Sequence, residues 1–547
     1  MSMYKRKPDI IIKNGTIVDG TGSMPYYADL AIVGDKIDFI GDLKGVDAPL
    51  VIDAHHKYVT PGFIDPHSHA DFSMWACPDA PTSIRQGVTT EIVGNCGYSM
   101  RHYLGEHPFH KDGDSVKAVY DMAGQKDIPE GAMAAVLDKA EAMGYSGNLG
   151  WLCGHNDLRV IAGVHETECT EEQFAIMEKF LREAMEAGFL GFSTGLEFDP
   201  GVLSRPEEVE RLAMIAAEYD GNYSSHMRDE GTYILEAVNE FLNVIRKTGL
   251  RGSVSHLNVK YDNGVPNEYL QKCMQMLKDA REIEHLNVYT DMLSTTTCTG
   301  GAQAILPPWL YKDGWDKAKE ILADPQGREK VKADLNRYWR FLAAGQWDRL
   351  LYVGASYWPE VAKTPFAELV EKWGKDPADC FLDIMMAAPN IESVRATTMQ
   401  GVVFHEQTMI DTVVKDPIYL WQSDSHPVYE EGPLSAKDRL YYMGMMYFFT
   451  RYVRDLGAIS IEQAVCKATS LPAKHFNLRK RGMLAEGYYA DINVFDINAL
   501  KVNATIEDPC HYCEGMHYVI VNGVPTIVEG EHTGVRAGRV LRNLPVE

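Results

Sequence analysis

Pro61-Gly-Phe-Ile-Asp-Pro-His67-Ser-His69-Ala-Asp71 is the stretch that decides the fold. It reads as the end of a short strand that runs into a histidine pair. Residues two apart on a strand point to the same face, so His67 and His69 can reach one metal together. Taken alone, the pair is equally a buried, hydrogen-bonded core pair.

Moving outward, metal-capable or acid–base residues recur at strand ends. Cys96 lies in Gly94-Asn-Cys-Gly97, His226 ends Tyr223-Ser-Ser-His, and His256 ends Val254-Ser-His. Asp424 sits in Gln422-Ser-Asp-Ser-His426. The steps from His67 to Cys96, from His226 to His256 and from His256 to Tyr289 are each about 30 residues, the length of one strand–helix unit. The segments between are helical in pattern, as at Glu171 to Ala187 and Pro206 to Tyr219. Strands are expected to end near His69, Cys96, Gly154, Thr194, His226, His256, Asp291 and Asp424. Eight parallel strands with reactive residues at their C-terminal ends predict an α/β fold, a TIM (β/α)8 barrel. A thiolate is a strong soft ligand for zinc, and imidazole suits it too. The set as a whole therefore reads as a metal site.

The unit between Tyr289 and Asp424 is far too long for a structureless loop. It shows helices near Trp315 to Leu322, Arg328 to Leu342 and Pro365 to Trp373, and a strand at Leu350 to Val353. It reads as an insertion at about 300–412 on the active-site face, a candidate lid.

Both ends of the chain are strand-rich. Asp9 to Lys13, Ala28 to Val33 and Lys36 to Gly41 are β-branched runs set between Gly-containing turns. Ala490 to Asp496, Tyr518 to Gly523 and Thr526-Ile-Val read the same way. One small β domain built from both termini is expected, over residues 1–59 and 480–547. The barrel then occupies 60–479.

The 547 residues exceed one ordinary hydrophobic core. A formal net charge of −24 argues against a nucleic-acid partner, which needs concentrated Lys and Arg. No apolar run reaches the roughly 20 residues of a membrane span, and no secretory h-region follows Met1. A cytoplasmic protein with no membrane partner and a small-molecule substrate is expected; a homo-oligomer is left open. Ten scattered cysteines suit reduced thiols, and Cys510-His-Tyr-Cys513 lacks the second pair of a zinc site.

The chain resembles the D-aminoacylase (N-acyl-D-amino-acid deacylase) branch of the amidohydrolases. The resemblance is carried by Asn14-Gly-Thr-Ile-Val-Asp-Gly-Thr-Gly, Pro61-Gly-Phe-Ile-Asp, Gln86-Gly-Val-Thr-Thr with Gly94-Asn-Cys-Gly, and Gly154-His-Asn-Asp-Leu-Arg159. It continues through Gly191-Phe-Ser-Thr-Gly-Leu196, Ser225-His-Met-Arg, Leu306-Pro-Pro-Trp309 and Arg481-Gly-Met-Leu-Ala-Glu-Gly. It implies a zinc-dependent hydrolase of linear amides, with a β-sandwich formed by the termini. It further implies that Cys96, His226 and His256 hold a tight zinc and that His67 and His69 mark a second, weaker site with Cys96 bridging. Asp424 would be the catalytic acid–base. His155 is a candidate oxyanion donor, or equally a strand-end histidine bonded to backbone.

The chain departs from the family pattern around the substrate. Asn258 replaces a common lysine, Tyr289-Thr-Asp291 places an acid where a tyrosine is common, and His426-Pro-Val428 replaces His-Pro-Arg. Those family residues help hold a substrate α-carboxylate. Arg228, Asn258, Lys260, Tyr289, Asp291 and Thr295 are the substrate-contact candidates, Arg228 and Lys260 being able to compensate. A substrate amide lacking a free carboxylate, or bearing an amine, is expected. Cyclic-amide hydrolysis and a non-catalytic ligand-binding role are the alternatives. The first usually uses a strand-four lysine, absent from Gly191-Phe-Ser-Thr194, and the second predicts lost ligands.

Overall fold

The computed structural model describes residues 4–544 apart from 5, 100–131, 165, 199, 232, 259–265, 312, 336–338, 396, 404–405, 433–434 and 436–437. Its centre is a ring of parallel strands: β1 (Phe63–Asp65), β2 (Val88–Val93), β3 (Asn148–Gly154), β4 (Gly191–Gly195), β5 (Asn222–His226), β6 (Arg251–Val254), β7 (Val288–Leu293) and β8 (Tyr419–Gln422). Each strand pairs with the next in chain order. The strands are buried on both faces, with every residue of β2, β3, β4, β5 and β7 inside. That is why they read as continuous runs rather than as apolar–polar alternation.

The ring closes between β8 and β1 through side chains and strand ends. The Asp65 carboxylate accepts from the Ser423 N–H at 3.2 Å, the Ser423 hydroxyl at 2.5 Å and the His67 N–H at 3.1 Å. Just beyond, the Asp424 N–H donates to the His67 carbonyl at 3.0 Å and the His69 N–H donates to the Ser425 carbonyl at 2.8 Å. Burial pushes the Asp65 carboxyl up to about 7, despite these donors.

Helices return between the strands as the sequence expects. Glu171–Ala187 starts on a Thr170–Gln173 capping box and stops at Gly188, whose φ of 102° suits only glycine. It buries Met177, Phe180, Leu181, Ala184 and Met185, one stripe of its surface. Pro206–Glu218 begins with proline in its first turn, where a missing N–H costs nothing.

A second sheet takes strands from both ends of the chain. Ile10–Ile17, Tyr26–Val33, Lys36–Gly41, Leu50–Asp53 and Tyr58–Pro61 join Ile492–Phe495, Met516–Val521, Val524–Val528 and Glu531–His532. The junction is the antiparallel pairing of Tyr58–Pro61 with Ile492–Phe495. Ile10, Ile12, Ile17, Leu30, Ile32, Val494 and Ile520 form its core. Hydrogen bonds fasten it to the ring, among them Gly62 N–H to the Asp491 carbonyl, the Asn493 amide to the Gly87 carbonyl and the Asn522 amide to Asn148 Oδ1, each at 2.8 Å.

The segment between β7 and β8 carries a small antiparallel sheet of Thr297–Gly301, Thr398–Val402 and Leu350–Gly354. The strand at Leu350 to Val353 is found, but its two partners are not visible as sequence pattern. The helix expected from Arg328 to Leu342 divides into Pro325–Ala333 and Arg340–Ala343. The first starts early because Asp324 accepts the Gly327 N–H and Pro325 follows it. The Cys513 thiol is buried and donates to the Tyr442 carbonyl at 3.2 Å, a packing role.

The seam makes a stability prediction. Asp65→Ala leaves the buried Ser423 and His67 N–H groups without an acceptor. We expect a loss of about 3 kcal/mol, at about 1–3 kcal/mol per buried donor unmet. A denaturant midpoint equal to that of the wild type would show that the seam does not depend on Asp65.

Candidate metal centre

The C-terminal end of the ring gathers the expected donors. Cys96 follows β2, His67 and His69 follow β1, His226 ends β5 and His256 follows β6. The backbone must bend sharply to aim them. Cys96, His256 and Asp424 have φ of 53°, 34° and 47°, left-handed values that non-glycine residues adopt only under constraint. Gly94 and Gly97 flank Cys96 at 79° and 77°. A Cβ on Gly94 would fall 2.1 Å from the Leu152 carbonyl oxygen of β3, so only glycine fits there.

Cys96 Sγ lies 3.3 Å from His67 Nε2, 3.5 Å from His256 Nε2 and 3.9 Å from His226 Nδ1. His226 Nδ1 and His256 Nε2 are 3.0 Å apart. His69 Nε2 and His67 Nε2 lie 3.3 Å and 3.6 Å from Asp424 Oδ1. Two overlapping donor groups result, His67-His69-Cys96 and Cys96-His226-His256. A tetrahedral zinc with ordinary bond lengths has N···N edges of about 3.3 Å and S···N edges of about 3.6 Å. The Cys96-His226-His256 triangle matches these within a few tenths of an ångström, so the residues present fit a metal.

The outward ring nitrogens are held by carboxylates. His256 Nδ1 is 2.9 Å from Glu230, His226 Nε2 is 3.0 Å from Glu197 and His67 Nδ1 is 3.5 Å from Asp291. Such carboxylates favour a proton on the outer nitrogen, most directly at His226, and so favour an inner lone pair turned toward a metal. Glu197 and Glu230 are functional residues that the sequence reading missed. The available signal was an acid just past each of two strand ends, at Gly195-Leu-Glu197 and four residues after His226.

Electrostatics support a cation-binding role. Burial alone would raise the Cys96 thiol, yet His67, His226 and His256 hold it well below its usual range, as a thiolate. Burial would depress His67 and His256, but Cys96 with Asp291 and Glu230 respectively holds both well above the usual imidazole value. Burial opposes Asp424 ionisation as well; the His69 hydrogen bond and the nearby histidines bring its pKa down to about 2. Asp424 is therefore held as a carboxylate.

The other candidates have partners of their own. His155 opens helix His155–Ile161, where its Nε2 contacts Glu208 Oε1 at 2.7 Å. Arg159 holds the same carboxylate at 2.6 Å, and the ring's aromatic neighbour is Phe192. Burial keeps that imidazole below its usual pKa against the pull of Glu208. Arg228 is tied to Glu240 at 2.9 Å, and Tyr289 lies under Arg281 and against His475. The Thr295 hydroxyl donates to the Thr297 carbonyl at 2.6 Å. Asn258 donates to Glu230 at 3.2 Å and to the His256 carbonyl at 2.7 Å. Asp291 accepts the His256 N–H at 2.7 Å. Asp291 and Asn258 thus stand against the donor histidines and Glu230. Lys260 lies outside the described residues. Aromatic rings flank the cluster: Phe72 stacks on His69 at 4.6 Å, Phe198 sits 4.4 Å from His226, and Tyr441 is 4.9 Å from His426.

Comparison with known proteins places this geometry in a family. Residues 50–372 and 433–527 match the amidohydrolase family profile. The chain is 30% identical to the N-acyl-D-glutamate deacylase of Alcaligenes xylosoxydans xylosoxydans, over 98% of this chain and 97% of that one. It is 29% identical to the D-aminoacylase of the same organism over 99% of both chains. Among solved structures, the N-acyl-D-glutamate deacylase of Bordetella bronchiseptica, complexed with zinc and a phosphonate mimic of the tetrahedral intermediate, is 28% identical. It superposes with a TM-score of 0.76 over 98% of this chain and 100% of its own. The chain belongs to the amidohydrolase family. It is related over its whole length to the D-aminoacylases and N-acyl-D-glutamate deacylases. Among the described residues, no helix is long and apolar enough to cross a membrane.

Gly94→Ala tests the loop that aims Cys96. Left-handed strain of about 1–3 kcal/mol, with backbone overlap added, should lower both thermal stability and metal content. Metal content at the wild-type level, measured by elemental analysis, would show that the loop tolerates a side chain.

Proposed function

We propose that this protein is a metal-dependent hydrolase of a linear amide, with Asp424 as its acid–base. The observation that carries the reading is the convergence of Cys96, His67, His69, His226 and His256 with the Asp424 carboxylate 3.3 Å from His69 Nε2. We assign zinc as the metal: a tight site at Cys96, His226 and His256, and a weaker one at His67 and His69. Zinc bound there supplies Lewis acidity toward the scissile carbonyl and a hydroxide nucleophile at neutral pH. Asp424 takes the proton of the attacking water and returns it to the leaving nitrogen. Cyclic-amide hydrolysis is less well supported, because β4 offers Thr194 and no lysine.

We further propose a barrel domain over 60–479 and a terminal β domain over 1–59 and 480–547, with 300–412 covering the site. In support of the cover, Asp438, on the segment after Asp424, accepts from Thr299 and from Gln400 at 2.8 Å, both in the inserted sheet.

The substrate we favour is an N-acyl compound related to the N-acyl-D-amino acids but without a free carboxylate, or with an amine. Arg228 is already committed to Glu240, Asn258 stands at the common lysine position, and Val428 stands at the common arginine position.

Asp424→Asn should lower kcat by about 100-fold to 10,000-fold, the range for a lost general acid–base, with metal content unchanged. Unaltered turnover removes Asp424 from its role. For the substrate, N-acetyl-D-methionine, N-acetyl-D-glutamate and neutral and basic amides are assayed side by side. We expect the highest kcat/KM among the neutral and basic compounds. Fast turnover confined to the acidic N-acyl-D-amino acids would sink that assignment.

A further inference from the structure

We infer that Glu230 is the positioning residue that sets both histidine ligands of the Cys96 site. The inference rests on the metal reading above and concerns how the apoprotein surface is made ready for the ion. Glu230 is fully buried, and burying a carboxylate costs several kcal/mol unless its oxygens are met. Its Oε1 lies 2.9 Å from His256 Nδ1 and 4.0 Å from His226 Nε2. Its Oε2 accepts from the Asn258 amide at 3.2 Å.

The main chain of the same residue acts on the second histidine. The Glu230 N–H donates to Glu197 Oε1 at 3.2 Å, and Glu197 Oε2 holds His226 Nε2 at 3.0 Å. One residue therefore fixes His256 through its side chain and His226 through Glu197. The two inner ring nitrogens stand 3.0 Å apart beside the Cys96 sulfur, and the outer carboxylates favour the tautomer that would turn both lone pairs toward a bound cation. His67 has a separate brace in Asp291 at 3.5 Å. Losing Glu230 should therefore weaken the Cys96-His226-His256 site and leave the His67 brace in place. Asn258 belongs to the same device. Where family members commonly have a lysine, this chain uses a neutral amide to orient the Glu230 carboxylate and leave its other oxygen for His256.

The test uses the full-length, cobalt-loaded protein titrated with a chelator of known affinity, read by the thiolate-to-cobalt absorption band. Glu230→Ala should weaken cobalt binding about 10-fold to 100-fold, the usual effect of removing an outer partner of a ligand histidine. Glu230→Gln should lose several-fold, since its amide oxygen still accepts from the ring. Asp438→Asn, at a buried carboxylate that accepts from Thr299, Gln400 and the Leu440 N–H and not from a donor histidine, should bind cobalt as the wild type does. Wild-type affinity in Glu230→Ala overturns the inference, as does an equal loss in Asp438→Asn. If Glu230→Ala does not fold, wild-type affinity in Glu230→Gln overturns it instead. A wild-type protein that retains no cobalt overturns the metal reading itself, and this inference with it.

Discussion

The structure depends on the seam between the eighth barrel strand and the first. No long ladder joins them. The closure rests on Asp65, which gathers the Ser423 and His67 N–H groups, and on the crossed backbone bonds of His67 with Asp424 and of His69 with Ser425. These bonds bring the first and last chemical groups of the barrel together, although hundreds of residues separate them in the chain. Without the seam, Asp424 would not stand beside two histidines.

A second constraint is charge. A fully buried thiolate, several imidazoles and four carboxylates share one small volume. Each is stable only because its neighbours carry the opposite charge or donate a hydrogen bond. The arrangement is layered. The outer carboxylates Glu197, Glu230 and Asp291 place the protons, the rings pass the lone pairs inward, and Cys96 adds a negative centre. Such a layout suits a cation that displaces protons on binding.

Much of this was legible in the sequence. The eight strand ends were readable because each carries a polar residue that a buried strand would otherwise avoid, and because one strand–helix unit has a nearly fixed length. The two-ended β domain was readable from β-branched runs between Gly turns. The inserted sheet was not, since Thr297-Cys-Thr-Gly-Gly301 has no apolar alternation and its partner lies about 100 residues away. Glu197 and Glu230 were missed for a different reason. They sit just beyond strand ends, where an acid on a solvated loop is the ordinary expectation, and only the three-dimensional fold shows both facing histidines.

The same comparison changes how the departures around the substrate are understood. Asn258 and Asp291 looked like altered specificity residues because they replace residues that hold a carboxylate elsewhere. In the structure Asp291 accepts the His256 N–H and Asn258 donates to Glu230. An aspartate that accepts a main-chain N–H and lies 3.5 Å from an imidazole has part of its charge met locally. Among the described residues, the rings of Phe72 and Phe198 stand beside His69 and His226 and would form part of the proposed substrate wall. On the proposed reading, an apolar or neutral acyl compound meets such walls without leaving a buried charge unpaired.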